Sequence, residues 1–174
     1  MVIKPRISKI ADMKPVSLSQ ALKHKNRLAG EIARLRAIVD RENSRKESQP
    51  ARADVRSVFE ESVERARELA ALKGAIASAN AGVTDCARGI YGKLNLQAEL
   101  RGLIAFLKEL GCKEGEVIER VGFLSRDEAA RVVFVAAIKR DEVDRYIAAH
   151  EAEIATLQDE IDEFNAATHV FVAA

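Results

Sequence analysis

The chain has 174 residues and a net charge of +1; 48% are apolar, only 5% are aromatic and Trp is absent, a profile that fits one domain of helices or coiled coils. No apolar run approaches the roughly 20 residues of a bilayer-spanning helix, and the basic opening MVIKPRISKIADMKP lacks the apolar centre of a secretion signal, so a cytoplasmic protein without membrane contact is expected. The small net charge hides an asymmetry: residues 1–56 hold fourteen Lys or Arg against six Asp or Glu, and residues 139–174 hold three against nine, so each end can attract the other or an outside partner.

Residues 1–16 carry two prolines and Lys4, Arg6, Lys9 and Lys14 without a clean period, and read as an extended basic arm before a single domain over 17–174. A helix is predicted from Ser17, with Gln20 three residues on as the second half of a capping box. It runs to about Asn43 with apolar positions Leu18, Ala21, Leu28, Ile32, Leu35 and Val39, broken by Lys25. The polar stretch around Pro50 is a loop. A second helix spans about 54–79, where Val55, Phe59, Ala66, Leu69 and Ile76, widened by Val58, Val63 and Leu72, give the broad stripe of an inner bundle helix. Asn80 and Gly82 are candidate stops. A third helix is predicted over about 85–110, weakened by Gly89, Gly92 and Gly102, which can also let another helix approach closely.

After Gly111 the texture changes. GEVIERVGFL and RVVFVAAI are β-branched and short, and predict a hairpin over 116–138. A last helix follows from about Asp141 to Phe164, and the closing HVFV predicts a strand over 169–173 that pairs with the hairpin. The last helix carries a three-four seam of Val143, Ile147, Ile154, Leu157, Ile161 and Phe164, with His150 in the one gap. Its flanks are acidic, whereas the first helix is basic at Lys23, Lys25, Arg27 and Arg34. Matched length, matched period and opposite charge predict that the first and last helices lie side by side, within one chain or between chains. The fold class expected is therefore mainly α: an elongated antiparallel bundle or coiled-coil hairpin with a small antiparallel β element.

Chemical motifs are sparse. No phosphate-binding glycine loop, dinucleotide fingerprint or nucleophile elbow is present. Glu64 and Glu68 share a helix face that could hold a divalent cation, but such pairs are the ordinary content of a solvated face. His150 reads as a register-setting polar residue in a seam rather than a ligand, because no set of three or four converging ligands accompanies it. Cys86 and Cys112 stand far apart and read as free thiols. No catalytic residue, metal or cofactor is assigned.

SLSQALKHKNRLAGEIARLRAIVDRENS, with Leu18, Ala21, Leu22, Lys25, Asn26, Leu28, Ile32, Leu35 and Asn43, resembles the opening of a family of small helical proteins of phages, prophages and bacteria, some labelled septicolysin-like. LAALKGAIASANAGV and the FNAATHV close resemble that family's middle and end. The resemblance implies a helical protein with no established enzymatic mechanism. The pore-forming sense of the label does not carry over, since the chain has no hairpin long enough to cross a membrane.

The expected function is a non-enzymatic structural, assembly or interaction protein, phage-related and cytoplasmic or virion-associated, with protein partners in an assembly. It would act by helix-seam oligomerisation into a homo-oligomer through Leu18, Leu28, Ile32, Leu35, Ile147, His150, Ile154, Leu157 and Ile161. The first alternative is a nucleic-acid-binding accessory protein using Lys4, Arg6, Lys9, Lys14, Lys23, Lys25, Arg27 and Arg34; the second is a metal-dependent hydrolase with a site at a subunit interface.

Overall fold

The computed structural model describes residues 15–83, 89–120 and 129–169. Among these the order is α1 (Leu18–Asn43), β1 (Ser44–Lys46), α2 (Val55–Asn80), α3 (Ile90–Glu109), β2 (Gly115–Arg120), β3 (Ala129–Ala136) and α4 (Arg140–Ala167). The predicted mainly α bundle with a small antiparallel sheet is what forms. The basic arm, except for its last two residues, lies outside the described residues.

The helix ends follow local chemistry. Ser17 Oγ accepts from the Gln20 amide at 3.3 Å and Gln20 Oε1 accepts from the Ser17 amide at 3.0 Å, which closes the capping box. Asp54 caps α2 by accepting from the Ser57 amide. Gly82 adopts φ +66° just past α2, a left-handed conformation that suits glycine at a helix stop. Gly89 precedes α3 rather than interrupting it.

The sheet has the order β1-β3-β2, with both pairings antiparallel. Its third described strand is one the sequence does not predict. Ser44–Lys46 supplies it directly after α1, and His169 is in neither strand nor helix, while residues 170–174 lie outside the described residues.

Helices α1 and α3 run toward the sheet, and α2 and α4 run away from it. All four meet at the sheet end in one core: Val39 from α1, Val55 and Phe59 from α2, Leu103, Leu107 and Leu110 from the end of α3, and Ile138 and Val143 at the start of α4. Phe59 and Tyr146 add an edge-to-face contact with ring centroids 5.0 Å apart.

Within the chain, the first and last helices do not pair along their length. Beyond the shared core at the sheet end, α1 packs on α2, α2 on α3 and α3 on α4. Leu28 and Ile32 meet Ala66 and Leu69, with Leu72 at the rim. The acidic flank of α4 pairs instead with α2 and α3, as Glu142 with Arg56, Glu153 with Arg67, Glu151 with Lys108 and Glu160 with Lys93. The physical reason is that a three-four stripe fits any stripe of equal length. The loop after β1 is short, so α2 returns beside α1. Exposed ion pairs contribute only about 0.3–0.5 kcal/mol each and cannot overrule that connectivity.

Two local devices hold the arrangement. At the sheet end Asn43 is fully buried, and its amide is used on both sides: Nδ2 donates to the Gly111 carbonyl at 2.8 Å and the Ile138 carbonyl at 3.0 Å, and Oδ1 accepts from the Ile138 amide at 2.8 Å. Farther along, α2 and α3 touch backbone to backbone. A Cβ placed on Gly74 would stand 2.7 Å from the Gly92 Cα and 2.9 Å from its nitrogen. The close approach foreseen for the α3 glycines is therefore made by Gly92, whereas Gly102 has open space at its Cβ position.

Gly74→Ala is expected to destabilise the fold by about 1–3 kcal/mol through overpacking against rigid backbone, while Gly102→Ala stabilises it by about 1 kcal/mol through helix propensity; denaturant titration of both variants checks the opposite signs. Asn43→Ala leaves buried carbonyl and amide groups without partners and is expected to cost about 3 kcal/mol or more, read as an earlier urea midpoint.

Candidate functional site

The predicted seam residues do not converge on one surface. Leu28, Ile32 and Leu35 are buried on α1, and Leu157 and Ile161 on α4; Ile147 and Ile154 are half-buried, and Leu18 is 44% exposed. Of the predicted basic contacts, Lys4, Arg6, Lys9 and Lys14 lie outside the described residues. Lys23, Arg27 and Arg34 are exposed on α1, Lys25 is half-buried, and Arg27 has a loose pair with Glu31 at 3.8 Å. At 100° per residue, Lys23, Arg27, Arg34 and the exposed Arg41 fall along one stripe of α1. Arg41 joins that line because α1 continues unbroken to Asn43, and the 100° spacing of the sequence alone was enough to place it there.

The predicted polar gap in the α4 seam is real. His150 is 8% exposed, and its two ring nitrogens have no hydrogen-bond partner. It faces Glu153, with Nδ1 to Oε2 at 3.7 Å, an electrostatic contact too long for a hydrogen bond. Glu153 in turn takes two 2.6 Å hydrogen bonds from Arg67 of α2. The neighbouring His150 and the Arg67 fork hold the Glu153 carboxyl down at about 2. A second fork of the same kind joins Arg56 to Glu142 at 2.8 and 2.6 Å. Arg56, helped by the Lys139 amide, holds the Glu142 carboxyl at about 2 as well. Both carboxylates are fixed anions near neutral pH and suit neither a general acid nor a general base.

Arg36 marks the other side of the bundle. It lies between α1 and α3 in an open depression of about 320 Å³ lined also by Ala37, Asp40, Phe106 and Glu109. Its guanidinium is 5.6 Å from the Phe106 ring centroid, and Nη1 reaches the Gly102 carbonyl at 3.5 Å, while Nε and Nη2 have no partner. Burial lowers its pKa from the usual arginine value, opposed by Glu99. Mixed charge and an open shape make this a surface groove rather than a reaction chamber. A smaller hollow of about 150 Å³ lies where the loop before α2 crosses the sheet, beside Arg45, Arg52 and Val135.

Cys112 is half-buried, with Sγ 3.7 Å from Asn43 Nδ2, and burial raises its pKa, which disfavours the thiolate. Cys86 lies outside the described residues. Glu68 is engaged by Arg65 at 2.8 Å, and Glu64 is exposed beside it. Among the described residues no group of three or more His, Cys, Asp or Glu is placed to hold a metal ion, and no helix is long and apolar enough to cross a membrane.

Exposed large apolar residues gather at the two poles of the bundle. Val16, Leu18 and Leu22 at the start of α1, Val83 after α2, Leu94 near the start of α3 and Phe164 near the end of α4 mark the pole away from the sheet. Ile118 and Val133 mark the sheet itself. No protein-family model, curated protein or solved structure matches the chain.

The two forks set a pH dependence. Both carboxyls titrate lower folded than the ordinary 4.5, so the forks contribute fully above about pH 4.5 and their contribution is lost as pH falls toward 2. The arginines are half-exposed, so water screens each fork to roughly 1 kcal/mol or less. The double variant Glu142→Gln, Glu153→Gln is expected to show a shallower fall of thermal midpoint than the unaltered protein between pH 4.5 and 2, measured by circular dichroism.

Proposed function

We propose that the protein is a non-enzymatic assembly or interaction protein that completes its surface by self-association, with a phage-related role as the family resemblance of α1 implies. The observation that carries this reading is the placement of exposed apolar side chains at the two poles, away from the closed middle of the bundle. Apolar side chains left exposed together at one end of a domain are candidate contact sites, and homo-oligomers commonly close through such sites. The low-titrating, arginine-paired Glu142 and Glu153 agree with a scaffold rather than with acid or base chemistry at those carboxyls.

The exposed stripe of Lys23, Arg27, Arg34 and Arg41 favours one second reading, a nucleic-acid-binding accessory protein. Four phosphate contacts would give a salt slope of about −3 to −4 on a logarithmic scale.

The test is solution mass by light scattering together with a fluorescence binding titration against DNA and RNA at several salt concentrations. A discrete mass of two or more chains with no salt-dependent nucleic-acid binding is expected. A monomer over the whole concentration range sinks the assembly reading, and steep salt-dependent binding replaces it with the second.

A further inference from the structure

We propose that the outer edge of β2 is a self-pairing surface: two copies join β2 to β2, antiparallel about a two-fold axis at Ile118, into one six-stranded sheet. This rests on the self-association reading above and names its surface.

In the order β1-β3-β2 one edge of β2 lies on β3, and no described strand occupies the other. The polarity of that edge follows from the ladder on the far side of β3. Ala137 donates its amide to the Asn43 carbonyl and Val133 accepts from the Glu47 amide, so the odd residues of β3 bond toward β1. Its even residues then bond toward β2, where their partners are Gly115, Val117 and Glu119. The main-chain donors and acceptors of Glu116, Ile118 and Arg120 therefore point to the open edge.

A two-fold at Ile118 sets these three residues opposite one another: Glu116 meets Arg120 of the second copy, Ile118 meets itself, and Arg120 meets Glu116. All three are positions at which opposed residues can exchange both backbone hydrogen bonds. Shifting the axis to position 117 keeps the hydrogen-bonding parity but sets Ile118 against Glu116. Shifting it to 119 sets Ile118 against Arg120. Only the axis at 118 matches an acidic with a basic residue and an apolar residue with its like, the cross-strand pairs that favour a register.

The side chains of the described residues agree. Ile118 is 67% exposed and Val133, on the same face one rung away, is 40% exposed, so the strip continues across the joint. Glu116 is exposed and holds only a loose 3.4 Å pair with the more exposed Arg131. Edge strands are ordinarily guarded against pairing by charge. Here the charges repel a copy in the wrong register and attract it in one.

The test is a charge swap read by sedimentation velocity. Glu116→Arg alone and Arg120→Glu alone each create two like-charge contacts and are expected to weaken self-association about tenfold or more. An equimolar mixture of the two variants restores both attractive contacts and is expected to recover the dimer. Far-UV circular dichroism confirms that each variant keeps its helices, and recovery on mixing cannot come from a misfolded chain. Ile118→Pro removes an outward amide while sparing the ladder to β3, and is expected to weaken the dimer too. A wild-type oligomer that neither reversal weakens, or a loss that mixing does not restore, overturns the β2 joint while leaving the assembly reading intact. The joint is equally overturned if deleting residues 170–174 dissociates the oligomer and the reversals do not, since the tail would then occupy the edge. A wild-type monomer overturns both.

Discussion

The arrangement at the sheet end depends on one buried amide. Asn43 ends α1, and from that position its side chain binds the Gly111 carbonyl after α3 and both backbone groups of Ile138 before α4. Its own carbonyl accepts from Ala137, which starts the β1–β3 ladder. Three segments far apart in sequence are thus fixed relative to one another by one residue whose polar atoms are fully used. A buried amide satisfied in this way costs little, whereas any alternative packing must leave several of these groups bare. The Arg140 guanidinium on the Leu110 carbonyl and the Ser44 hydroxyl on the Lys113 carbonyl extend the same knot toward the surface.

Around that knot the apolar core can be ordinary. Val39, Phe59, Leu103, Leu107 and Val143 fill the space where four helices converge, and no large aromatic cluster is needed. Toward the other pole the packing changes character. Small residues take over at the α2–α3 contact, Gly74 lies on Gly92, and large apolar side chains such as Leu94 and Phe164 remain on the surface. One end of the bundle is closed by specific hydrogen bonds and a filled core, the other by close backbone approach with apolar residues left outside.

Much of this was legible in the residues. Ser17 and Gln20 announce the first helix because a capping box is a local interaction, complete within four residues. The β-branched runs before and after position 125 announce two strands for the same reason. What sequence could not settle was which stripe faces which. The seams of α1 and α4 match in length, period and charge, yet Leu28 and Ile32 face Ala66 and Leu69, because loop length outweighs weak surface pairs. The third strand was missed because Ser44–Lys46 is polar and three residues long, so neither alternation nor composition marks it. Asn43 was visible as a helix-end residue, but its role is assembled from Gly111 and Ile138, more than sixty residues away.

The Arg–Glu forks between α2 and α4 carry one more consequence. Arg56 and Arg67 are eleven residues apart, as are Glu142 and Glu153, and both links span 86 residues of chain. The two helices run in the same direction, so a slide of one along the other by a helical turn would break both links together. The forks therefore act as a gauge: with the Phe59–Tyr146 contact they mark a single axial offset of the two rods.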